Sequence, residues 1–327
     1  MTDTTDVSVM KRTLPALGLF FLAPLVAEFL LGNIPINQIF ALLFLAPLYG
    51  GGAVLIREVV RRRGWGYPSV MILALAYGVL EEGVTTQSLF NPNYADLRLL
   101  DPGHISALGM GAPWTLFVLA LHTVWSITVP IVLVESASRR PREPWLGKIG
   151  LWVYGAIFVA GIVANTAFAL SSDSFVASPA QFAGTGIAIV VLVAIAARVG
   201  SRGRRRTAGT VPSAWLVGAA GLVLSSAFML VNDLVKNGWL QAGLMAALDV
   251  LAVIVVVRWS RRTGWTQLHS LAVAGGALLT YAWHAFPEDP VMDASRTTDL
   301  IGNVVFALIA VLLLVGATIR REKLSDS

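Results

Sequence analysis

The sequence predicts an all-α polytopic membrane protein of about ten transmembrane helices with both termini cytoplasmic, and three observations predict it. Of 327 residues, 56% are hydrophobic and only 13% are charged, with a mean hydropathy of +0.72, which leaves too few charges to solvate a soluble protein of this length. Apolar runs near the roughly 20 residues that cross a hydrocarbon core recur along the whole chain. Basic residues cluster on alternate connections, as retention of Lys and Arg on the cytoplasmic side requires. Of the 24 Lys and Arg residues, all but Arg98, Lys236 and Arg296 fall on one side.

The first run, about 14–32, follows Lys11 and Arg12 without the small-residue pattern of a cleaved signal peptide. The second, about 38–57, repeats the segment FLAPL, so that Pro24 and Pro47 are expected to kink successive helices. Gly50, Gly51 and Gly52 make the second helix smooth enough for close helix approach or unwinding. Runs at about 67–90, 113–135 and 149–171 carry most of the intramembrane polar groups, whereas 181–198 is short but has the fully apolar core GIAIVVLVAIAA. The last four runs, about 212–231, 238–258, 266–285 and 299–318, are apolar apart from Asp249 and residues near their outer ends. That asymmetry between halves argues against the inverted repeat of many transporters. Connections are short, the longest at about 91–112 and 199–211, so residues 1–327 are expected to form one membrane domain.

The basic run RVGSRGRRR at 198–206 lies beside an apolar helix, where it acts as a topology determinant touching anionic head groups. The bilayer is the expected partner and nucleic acid is not. Trp65, Trp114, Trp145, Trp215, Trp239, Trp259, Trp265 and Trp283 fall near span ends, as interfacial anchors do. With no cysteine, disulfides, thiol catalysis and cysteine-bound metal are excluded. Twenty Arg against four Lys fits a high-GC bacterium and hence its inner membrane.

Depth along the spans singles out candidate residues. With about 1.5 Å of rise per residue, Glu82 lies about 12 Å from the outer end of its span and His122 about 13 Å from the outer end of the next. Asn165 comes to about 9 Å and Glu28 to about 6 Å. Glu81, Thr85 and Ser88 share one helical face with Glu82 and Thr86 about 100° round, and Thr115, His122 and Ser126 line a face of the following helix. Polar groups in hydrocarbon cost several kcal/mol unless they face a partner or cavity, so these stripes are expected to meet in an outward-open polar pocket that also takes in Glu28, Thr85, Thr86 and Ser126. Two adjacent carboxyls beside a histidine suit general acid and base work, whereas for Asn165, Glu28 and Asp249 hydrogen-bonded packing is the first expectation. His284 reads as an interfacial residue next to Trp283. No HExxH or comparable ligand spacing is present, so neither a metal nor another cofactor is expected. The glycine-bearing connection 91–112 suits a lid, its Tyr94, Leu99 and Leu100 dipping into the bilayer surface.

EEGVTTQSLF at 81–90, with His122 on the following helix and Asn165 on a later one, resembles the CPBP-type glutamic intramembrane proteases, a family that includes CAAX-processing enzymes. The resemblance covers the third to fifth helices and rests on Glu81, Glu82, Leu89 and Phe90. Thr86 stands where that family has Arg, and Val118 where it has Phe. It implies a metal-independent hydrolase in which a glutamate activates water while His122 and Asn165 stabilise the oxyanion, acting on a membrane-embedded or extracytoplasmic substrate. The competing expectations are a proton-coupled transporter that loads the Glu81 and Glu82 carboxyls, and a non-catalytic scaffold.

Overall fold

The computed structural model describes residues 4–202 and 206–325. Arg204 and Arg205 of the basic run lie outside the described residues, as do the side chains of Lys11 and Arg12. Ten long helices follow one another: α1 (Thr4–Pro24, running on as a π turn over Leu25–Phe29), α2 (Ala41–Arg62), α3 (Tyr67–Thr85), α4 (Ala112–Ala137), α5 (Lys148–Ser172), α6 (Pro179–Ser201), α7 (Ala214–Leu234), α8 (Gly238–Ser260), α9 (Gln267–His284) and α10 (Arg296–Ser325). Among the described residues the only strands are two-residue β1 (His104–Ile105) and β2 (Met110–Gly111), which form a hairpin with His104 opposite Gly111.

Burial sorts the helices into two shells. The apolar stretches of α2, α3 and α4 are each 61% buried, against 6% to 28% for those of α5 to α8 and α10. α4 lies innermost, packed against α1, α3, α8, α9 and α10. α5 covers α2, α6 covers α3, and α7 covers α9. The outer helices present Ile149, Trp152, Ile187, Trp215 and Leu312 outward, an apolar surface that only a bilayer can accommodate.

Glycine sets how closely some of these pairs approach. A Cβ on Gly50 would lie 1.9 Å from the Phe20 carbonyl oxygen, and one on Gly276 would lie 2.4 Å from the Gly218 oxygen. α2 is continuous through Gly50, Gly51 and Gly52, so the run serves close approach and not unwinding.

Two expectations about the basic end need correction. α2 continues past Arg57 to Arg62, and Arg57 is wholly buried. Its Nε donates to Glu135 Oε1 at 3.0 Å and its Nη1 to Glu58 Oε1 at 2.7 Å, while its guanidinium lies 3.4 Å over the Trp145 ring. Arg61 grips both Glu135 oxygens at 2.6 Å, and Tyr67 donates to the same carboxylate at 2.8 Å. Glu58 accepts from the backbone N–H groups of Trp145 and Leu146. Arg57 and Arg61 are therefore not head-group contacts, and Trp145 is not an interfacial anchor. Counter-charges on α2 and α4 satisfy these guanidinium groups inside the protein, which lets the helix continue beyond its apolar run. Trp215, 90% exposed, keeps the outward position expected of an anchor.

Candidate functional site

Three helices change geometry at the same level of the bundle. π turns occupy Leu25–Phe29 in α1, Glu81–Thr85 in α3 and His122–Thr128 in α4. They hold Glu28, the Glu81 and Glu82 pair, and His122 with Ser126. Such insertions into an α-helix re-aim side chains and concentrate at functional sites. The first begins directly after Pro24, which has no N–H to continue the helical ladder.

The π turn in α3 changes which residues share a face. Helical geometry ends at Thr86, not Phe90, because Gln87 takes a left-handed φ of 58°. Ser88 consequently folds back and donates to Glu82 Oε2, where Thr86 Oγ1 also donates at 2.8 Å. The spacing rule had grouped Ser88 with Glu81; the turn brings it to Glu82. Residues 87–91 are non-helical yet buried, tolerable at membrane depth only because protein surrounds them. Gln87 Oε1 accepts from the Ala177 N–H at 2.7 Å, and Asn91 Nδ2 donates to Asp173 Oδ2 at 2.6 Å. These bonds fasten the strap to the connection between α5 and α6.

His122 sits between the two glutamates. Its Nε2 lies 2.6 Å from Glu82 Oε1, while its Nδ1 lies 3.3 Å from both Glu81 Oε2 and Ser126 Oγ. Gly78 permits this contact, since a Cβ there would meet the His122 Cβ at 3.0 Å. Glu82 has every approach filled, by His122, Thr86 and Ser88, and Trp114 Nε1 donates in turn to Ser88 Oγ at 3.2 Å. Glu81 differs. Its Oε2 has no well-aligned hydrogen bond among the described residues, and neither does the buried hydroxyl of Tyr77 or of Thr85.

The remaining candidates divide. Glu28 accepts from Tyr49 Oη at 2.5 Å and from Asn33 Nδ2 at 3.1 Å, and the Tyr49 and Tyr77 rings each lie 5.9 Å from the His122 ring. Glu28 thus borders the cluster through Tyr49. Asn165 is buried, but its Nδ2 donates to Gly161 O at 2.9 Å in its own helix. The structure brings together Glu81, Glu82, His122, Thr86 and Ser126; no hydrogen bond joins Asn165 to them.

Instead of lining an open pocket, the cluster is closed: Glu81 is 2% exposed, Glu82 5% and His122 5%. A groove of about 430 Å³ lies beyond it, bordered by Phe90, Leu100, His104, Phe175 and Gln181. The connection 91–112 is exposed over much of its length but anchored at Asn91, Leu100, Gly103 and Gly111, which are buried. Gly103 and Gly109 supply the positive φ of its turns, and Gly111 abuts the Leu100 backbone, with a Cβ there only 2.8 Å from Leu100 Cα. Leu100 is buried within the protein instead of dipping into the bilayer.

Sequence reasoning missed Tyr49, Tyr77 and Trp114 as partners of the cluster. The available signal was a polar tip on each large apolar residue, which must find a partner when buried. It also misplaced His284, which is buried with Nε2 2.9 Å from Asp233 Oδ2.

Together these features define an all-α integral membrane protein whose buried imidazole is clasped by two carboxyl groups. Residues 17–324 match the family described as "Uncharacterized membrane protein family", and the chain belongs to it. That match carries membrane location and no protease kinship. No curated protein and no solved structure matches the chain.

Proposed function

We propose that this protein is a glutamate-dependent hydrolase acting within the membrane, in the manner of the CPBP-type proteases that its 81–90 segment resembles. One observation carries the reading: each imidazole nitrogen of His122 faces a different carboxyl group. That arrangement lets the ring pass a proton between the two carboxyl groups. Glu82, fully engaged, orients His122. Glu81, with an oxygen not otherwise bonded, takes a proton from water as its oxygen attacks a carbonyl carbon, and His122 passes a proton to the leaving group. Asn165 gives one amide N–H to Gly161 O and keeps a second for an oxyanion. The groove at Phe90 lies two residues from Ser88 and is the route by which substrate approaches. On this reading the basic-residue asymmetry puts both termini in the cytoplasm of a bacterial inner membrane, with the cluster toward the outer face.

The test compares newly formed protein N-termini in cells expressing wild type or Glu81→Gln at equal, folded levels. Termini present only with the wild type are expected; coincident profiles would refute the hydrolase. Closure of the cluster favours a second reading, a carrier that loads protons on Glu81 and His122. It predicts pH-dependent uptake into proteoliposomes that Glu81→Gln abolishes.

A further inference from the structure

We propose that Asp233, His284 and Glu288 form a binding site for a divalent transition-metal ion of the Zn²⁺ type, independent of the Glu81, Glu82 and His122 cluster. Here both carboxylates approach one nitrogen. His284 Nε2 lies 2.9 Å from Asp233 Oδ2 and 3.5 Å from Glu288 Oε1. A single N–H can satisfy only one of them, so the second carboxylate is left facing a nitrogen that has nothing to give it. A cation between the three atoms satisfies all of them. Tetrahedral coordination with bonds of about 2.1 Å places neighbouring ligand atoms roughly 3.4 Å apart. The three atoms already lie within 4.8 Å of one another, so small side-chain rotations complete the set.

The supports are those a metal site needs. α7 and α9, which bring Asp233 and His284 together, meet backbone to backbone at Gly218, Gly221 and Gly276, so the ligands stand on a rigid pair. The other Asp233 oxygen, Oδ1, accepts from Asn232 Nδ2 at 3.2 Å, and Asn232 is held by buried Gln241 through its carbonyl at 2.8 Å. Such outer bonds orient a ligating carboxylate. The side chains of Asp233 and Glu288 are 28% and 44% exposed, which gives an aqueous ion access and leaves a coordination position for water. One imidazole with two carboxylates suits Zn²⁺ or Mn²⁺ better than Mg²⁺ or Ca²⁺, which prefer oxygen alone. Among the described residues, His284 Nδ1 has no hydrogen-bond partner. The absent outer bond weakens binding about 10- to 100-fold and sets a modest affinity.

The experiment uses full-length protein in detergent, stripped with a chelator and dialysed against ZnCl₂ alone, with bound metal counted by atomic emission. One saturable equivalent per chain is expected for the wild type and for Glu81→Gln, with affinity at least tenfold weaker in Asp233→Asn and in Glu288→Gln. Glu288 lies past the end of α9 and is half-exposed, so its variant tests the site even where Asp233→Asn misfolds. Absence of saturable binding, binding unchanged in both variants, or loss only in His122→Gln would overturn the proposal. Loss only in His122→Gln would place the ion at the Glu81, Glu82 and His122 cluster instead, while the N-terminus comparison with Glu81→Gln tests hydrolysis separately.

Discussion

At the scale of single residues, the two adjacent glutamates have unequal surroundings and should fail differently. Glu82→Gln puts an amide nitrogen among groups that donate, so a buried hydrogen-bond set is lost at about 1–3 kcal/mol, read as a lower melting temperature in detergent. Glu81→Gln removes no well-aligned bond from Oε2; melting should stay near that of the wild type while the wild-type N-termini disappear. Tyr49→Phe should act in between, leaving Glu28 with Asn33 alone and costing about 1 kcal/mol. Depth counted from span ends put Glu82 and His122 at one level, and they do meet, although the count ran the third helix to Phe90 and its helical geometry ends at Thr86. It could not separate the roles of Glu81 and Glu82, which depend on Ser88 and Trp114 arriving from beyond the helix end. Trp145 and His284 were misread for one reason: each lies near a span end, and an aromatic or aromatic-flanked residue there looks interfacial until its partner on another helix is known.

Elements show where periodicity stops being informative. Ten helices were legible from apolar length alone, and all ten are present, but the three π turns left no trace in composition. A helix wheel drawn through Glu81–Thr85 therefore assigns Ser88 to the wrong stripe. Glycine at helix contacts was legible as a tendency, though not which neighbour it meets. Gly50→Ala and Gly276→Ala should each cost about 1–3 kcal/mol or more by overpacking, since the obstructing atoms are backbone. Gly155→Ala, with nothing within 4 Å, should instead stabilise α5 by about 0.5–1 kcal/mol. Thermal melts of the three variants, compared side by side, check the sign as well as the size.

For the whole molecule, the buried charges at one end act as a clasp between the inner helices. Glu135 accepts from Arg57, Arg61 and Tyr67, so Glu135→Gln leaves the buried Arg61 without a carboxylate and Arg57 with Glu58 alone, and should cost about 3–5 kcal/mol, seen as loss of folded protein on size exclusion. The inner and outer shells were only partly legible: α2 and α3 are the least apolar of the long spans, and with α1 and α4 they carry buried or half-buried acidic or histidine groups that have to be enclosed, but which outer helix covers which inner one leaves no mark in composition. The strap at 87–91 has a consequence at a distance. Ser174 and Val176 sit in an exposed connection that looks suited to an epitope tag or a protease site. Asp173 and Ala177 on either side of them hold Asn91 and Gln87, and through these the Ser88 bond to Glu82. Lengthening that connection would therefore loosen Glu82 from outside, and a label placed there for convenience would disturb the buried cluster without touching it.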